Sequence, residues 1–186
     1  MVPIMSLWLP ILLSAIVVFV LSWLIHMLLP YHRSDFSKVP GEDGVQEAFR
    51  KFNIPPGDYM LPHAGGPEGM KSPEFKAKFE KGPVVMMTVM KGGPMNMGGN
   101  LAQWFVYLLL VGVLAAYISG RALTPGAPYL RVFRFAGATS FIAYSIALWQ
   151  NSIWYRQKWS TTIKSTFDGL VYALFTAGVF GWLWPR

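Results

Sequence analysis

The chain contains no cysteine and only three histidines. That excludes a disulfide framework, a thiolate zinc site and a cysteine nucleophile. Charge is also scarce: Asp, Glu, Lys and Arg make up 13% of the 186 residues, about half the usual ~25% share. Negative charge is the scarcer sign, with nine Asp and Glu against sixteen Lys and Arg and a formal net charge of +7. The zincin pattern, the nucleophile elbow and the EF-hand calcium loop are all missing. Gly65-Gly66-Pro67-Glu68-Gly69-Met70-Lys71-Ser72 approaches a phosphate loop, but Met70 stands where glycine must precede Lys-Ser. Nucleotide binding is not expected there.

Apolar residues take the space that charge leaves, at 53% of the chain, and they come in long runs. Leu7–Leu29 carries no formal charge over 23 residues, enough to cross a ~30 Å hydrocarbon core with some tilt. No basic residue precedes it, and Leu29-Pro30-Tyr31-His32 is a poor cleavage site. The run is therefore read as a retained helix, not a removed leader. Leu101–Ser119, Val132–Ile153 and Phe167–Trp184 are three further candidates, with Arg134 and Asp168 near enough to helix ends to reach the interface. Lone strands in lipid would leave their backbone unpaired, so all four are read as helices.

The expected fold is an all-α membrane protein, a four-helix transmembrane bundle. Residues 1–30 supply helix 1, residues 31–99 a polar Gly-, Pro- and Met-rich cap lying on the bilayer surface, and residues 100–186 helices 2–4. Gly112, Ala116 and Gly120 recur every four residues in helix 2, as do Gly169, Ala173, Ala177 and Gly181 in helix 4. Small residues at that interval let backbones approach closely, which favours tight packing over a wide channel. In helix 3, Gly137, Ser140, Tyr144, Ala147 and Asn151 fall on one face. Within the cap, Gly44–Phe52 and Pro73–Lys81 read as short amphipathic helices, and Val84–Met90 as a strand able to pair with Tyr59–Leu61.

Chemistry-bearing residues gather at one level of the expected bundle. His26 lies one turn before the end of helix 1 and Gln103 in the first turn of helix 2. Gln150 and Asn151 end helix 3, and Asp168 begins helix 4. An up-down bundle brings all five to one side, beneath a cap carrying His32 and His63. Imidazole, carboxamide and carboxylate together suit a cation or a proton relay. The competing local reading, which is favoured, makes Asn100–Gln103 and Ser165–Asp168 capping boxes, with Lys164 paired to Asp168. Met86, Met87, Met90, Met95 and Met97 form a second candidate, since clustered thioethers suit Cu(I). Adaptable apolar packing explains them at least as well, and strand alternation puts Met86 and Met87 on opposite faces.

Twelve Lys and Arg lie in the cap and the link between helices 3 and 4, against four on the other side. The positive-inside rule places the cap and that link in the cytoplasm. Basic residues sit at the ends of apolar runs, not on one polar face, so nucleic acid is not an expected partner.

Several whole segments, Leu24–Met27 with Leu29–Arg33, Phe52–Pro62, Gln150–Tyr155 and Phe180–Pro185, resemble those of a group of uncharacterised bacterial integral membrane proteins. The resemblance covers nearly the whole chain and implies the bacterial inner membrane. It implies no activity, cofactor or catalytic residue. The expectation is a non-enzymatic accessory or scaffolding subunit, without an evident cofactor, that associates with the lipid bilayer and with another membrane protein or itself. The alternative is a small transport or ion-coupling protein using the polar cluster near His26 and Asp168.

Overall fold

The structure, a computed structural model, describes residues 1–186. In chain order it runs from a 3-10 turn at Ile4–Leu7 into α1 (Trp8–Leu28), then a second 3-10 turn at Pro30–Ser34. There follow α2 (Glu42–Phe52), β1 (Gly57–Leu61), α3 (Pro67–Lys71), α4 (Pro73–Lys81) and β2 (Val85–Val89). The remainder is helical: α5 (Gly98–Ala122), α6 (Tyr129–Ser145), a 3-10 turn at Ile146–Leu148, α7 (Trp149–Trp154) and α8 (Trp159–Trp182).

Three helical stretches are long and apolar enough to cross a membrane: Ile4–Leu28, Gly98–Ala122 and Tyr129–Trp154. The helix α8 is of similar length but is not among them. Its first half carries Ser160, Thr161, Thr162, Lys164, Ser165, Thr166 and Asp168, which dilute its apolar content.

The chain divides into two compact units, residues 1–36 with 96–186, and residues 37–95. Tyr31–Phe36 thus belongs with the long helices and not with the intervening segment. In the helical unit α1 packs against α5 and α8, and α6 packs against the same two. The small-residue stripes lie at these contacts. A methyl on Gly112 would stand 3.2 Å from the Ile11 side chain, and one on Gly120 only 2.6 Å from the Val2 carbonyl oxygen. On α8, a methyl on Gly169 would fall 2.1 Å from Ser145 Oγ, and one on Gly181 2.6 Å from the Tyr129 ring. Ala116, Ala173 and Ala177 are fully buried. Close approach of this kind gives the dispersion contact that replaces the hydrophobic effect between helices in lipid.

Three local expectations need correction. The helix α8 begins at Trp159, not at Phe167, so Ser165 and Asp168 lie inside it and form no capping box. Its extra turns hold because their hydroxyls have partners: Thr162 Oγ1 and Ser152 Oγ share a buried hydrogen bond of 2.6 Å. Likewise α5 begins at Gly98 with no side-chain cap, which removes the box expected at Asn100–Gln103. The third span is not one continuous helix. At Ser145 the backbone leaves helical values (φ −125°, ψ −45°) and a 3-10 turn follows. There the Ser145 hydroxyl donates to the Thr166 carbonyl across the contact with α8 at 3.3 Å. Three residues at ~120° each instead of ~100° turn the helix face by roughly 60°. Ser140 and Tyr144 stay buried on the expected face, whereas Ala147 turns outward.

The second unit is built around the antiparallel pair β1–β2, in register from Gly57 opposite Val89 to Leu61 opposite Val85. Thr88 donates a 2.6 Å hydrogen bond to Asp58 across it. Ser72 caps α4 by accepting from the Phe75 amide at 3.2 Å, the role its hydroxyl is suited to ahead of Pro73. Neither α2 nor α4 contains a buried residue, although both are amphipathic.

Candidate functional site

Pro30 cannot continue α1, because its ring removes the amide hydrogen the helix would need. Leu29 becomes extended and the 3-10 turn Pro30–Ser34 begins. That turn brings the His32 ring onto His26, with centroids 4.5 Å apart and planes 9° from parallel. His26 Nδ1 donates to the Ser22 carbonyl at 3.0 Å. Ser22 is held in turn, its hydroxyl accepting from Trp104 Nε1 of α5 at 3.0 Å.

His32 uses both ring nitrogens. Nδ1 meets Asp35 Oδ2 at 2.7 Å and Nε2 meets Asp168 Oδ2 at 2.8 Å. Asp168, only 3% exposed in the third turn of α8, accepts a further hydrogen bond at Oδ1 from the Tyr31 hydroxyl. Lys164, one turn earlier, donates to the Tyr31 carbonyl at 2.5 Å, to Ser34 Oγ at 2.7 Å and to Asp35 Oδ1 at 2.8 Å. The expected Lys164–Asp168 pair therefore gives way to two pairs, Lys164–Asp35 and His32–Asp168. Each ring nitrogen of His32 thus meets a carboxylate oxygen, one from its own turn and one from α8.

Burial pushes the Asp35 carboxyl up, but hydrogen bonds and charge from Lys164 and His32 outweigh it and leave it below the ordinary value. Burial drives the Tyr31 phenol well above its usual value, and its hydrogen bond to Asp168 and that residue's charge add to the effect. Tyr31 is thus a firm donor to Asp168.

Comparison with protein-family models, curated proteins and solved structures found no match. The chemistry of the site must therefore speak for itself. One ligand atom from each of His26, His32 and Asp168 lies within 4.8 Å of the others. These are the residues able to hold a cation.

The structure brings His26 and Asp168 together, and no hydrogen bond joins the other expected members to them. Gln103 and Gln150 are exposed and Asn151 is half-buried. The Asn151 carbonyl closes the turn after α7 by accepting from the Tyr155 and Gln157 amides. His63 is exposed in the second unit. The candidate methionines lie on several segments: Met86 stands opposite Met60, Met87 opposite Tyr59, Met90 and Met95 follow β2, and Met97 precedes α5. Sequence reasoning did not place Tyr31 or Asp35 in the site and paired Lys164 with Asp168 instead of Asp35. The available signal was the dense polar run Tyr31-His32-Arg33-Ser34-Asp35 directly after a helix-ending proline, with His32 and Asp35 three apart in a 3-10 turn.

Proposed function

We propose that the chain is a four-span integral membrane protein of the bacterial inner membrane, with α8 as the fourth span, that transports or couples to a cation at the His26–His32–Asp168 cluster. The observation that carries this reading is the placement of Asp168. It is a buried carboxylate inside a long helix whose partners come from a segment 136 residues earlier. Ionisable groups within a membrane bundle are costly and are kept for function far more often than for stability. Basic-residue asymmetry puts residues 37–95 and the link before α8 in the cytoplasm. The lack of any catalytic motif argues for a non-enzymatic role.

Proteoliposomes holding the purified protein should pass protons, alkali cations or divalent cations down an imposed gradient. Asp168→Asn, which keeps the shape of the side chain, should abolish that flux while the protein stays monodisperse. Absence of flux for every cation tried would retire the transport reading.

Exposed apolar side chains in the second unit support another reading. Phe52 is 76%, Met90 81% and Met95 92% exposed, which suits an accessory or scaffolding subunit that covers them with a partner or a second copy. Mild-detergent purification should then recover a defined complex, and a strictly monomeric particle would count against it.

A further inference from the structure

We propose that His26, His32 and Asp168 bind one divalent first-row transition ion of the zinc class; this rests on reading the cluster as a cation site and names the cation. Two imidazoles and a carboxylate are the donors that zinc and its neighbours accept. Calcium and magnesium take oxygen-only shells, and Cu(I) prefers the thioethers that this site lacks.

The surroundings of the three residues are those of a metal centre. Ligating histidines usually donate their second N–H to a carboxylate or carbonyl, which fixes the tautomer and ring plane. His32 does so through Nδ1 to Asp35 at 2.7 Å, and His26 through Nδ1 to the Ser22 carbonyl at 3.0 Å. His26 Nε2 is left for a ligand, and His32 Nε2 already faces the third donor, Asp168 Oδ2, at 2.8 Å. Lys164 holds Asp35 in place, and Tyr31 donates to the other Asp168 oxygen, Oδ1. An ion-pair latch between His32 and Asp168 would need none of the ordering of His26.

Binding requires small movements. A tetrahedral ion at ~2.0–2.1 Å from each ligand holds ligand atoms roughly 3.3 Å apart. The 2.8 Å contact of His32 Nε2 with Asp168 opens by a few tenths of an ångström as the ion replaces the proton between them. The His26 ring, now parallel to His32, must tilt to aim its lone pair at the same point. His26 is exposed on the last turn of α1 and has room to do so. Water completes the shell.

The full chain, purified in mild detergent with any tag removed and stripped with EDTA, is titrated with Co2+ while d–d absorption is read. One Co2+ per chain is expected, displaced by Zn2+ but not by Mg2+ or Ca2+. His26→Gln and Asp168→Asn should each weaken binding about 100-fold, Asp35→Asn about 10-fold while keeping the stoichiometry, and His63→Gln not at all. Because His26 is exposed, its variant tests the site even if Asp168→Asn fails to fold. No stoichiometric Co2+ binding would overturn the proposal, as would binding that His26→Gln leaves unchanged or that His63→Gln removes. Stoichiometric binding without cation flux upholds the metal site and removes the transport reading. Flux without Co2+ binding does the reverse.

Discussion

The two units use their charged residues in opposite ways. In residues 37–95 the ion pairs join near neighbours on exposed helices or just before one: Lys38–Glu42, Glu47–Arg50, Glu68–Lys71 and Glu74–Lys78, all three or four residues apart. Such pairs are solvated and contribute little. In the helical unit, Lys164–Asp35 and His32–Asp168 join residues more than 120 apart, with side chains no more than about a fifth exposed. Removing one partner there strands the other away from water. Charge thus decorates one unit and fastens the other.

The largest effect should come from Asp168→Ala, which leaves His32 Nε2 and the Tyr31 hydroxyl without their acceptor. A loss of about 3 kcal/mol or more is expected, read as a lowered unfolding midpoint of the purified protein in detergent. Next comes Gly169→Ala, whose new methyl collides with Ser145 where α6 meets α8. It should cost about 1–3 kcal/mol, with Gly169→Ser costing at least as much in the same assay. In the other unit, Gly69→Ala places a methyl 1.7 Å from the Ala64 carbonyl oxygen. It should open residues 37–95 to limited proteolysis while the helical unit melts unchanged. The smallest effect is predicted for Lys78→Gln: the Glu74 carboxyl, held below its usual value by hydrogen bonding and charge from Lys78, returns toward it with no measurable shift in melting. A comparable drop for Lys78→Gln and Asp168→Ala would erase the contrast between the units.

Much of the fold could be read from the sequence, because uncharged runs long enough to span lipid leave little choice of structure. The pairing of Val84–Met90 with Tyr59–Leu61, found as Val85–Val89 with Gly57–Leu61, was also readable, as was the helix at Pro73–Lys81 from the proline at its first turn. The start of α8 was not. Ser160-Thr161-Thr162 reads as a loop until Ser152 supplies a partner for Thr162. Nor was the break at Ile146–Leu148, since nothing in Ser145-Ile146-Ala147-Leu148 departs from an ordinary apolar helix.

The site shows the same division. His26 and Asp168 carried recognisable chemistry at a common depth. Gln103, Gln150 and Asn151 were expected at the same level, yet none of them hydrogen-bonds to the cluster. The Asp35–Lys164 pair spans 129 residues, a separation that no local spacing rule can reach.

That separation also orders events during synthesis. When α1 leaves the ribosome, His32 and Asp35 have only each other, and Asp168 is still 136 residues away. At roughly 5–20 residues per second the wait is on the order of ten seconds. Through that interval the histidine and carboxylate of the turn after α1 lack the two groups from α8 that later bind them. The last helix to be made is the one that closes it.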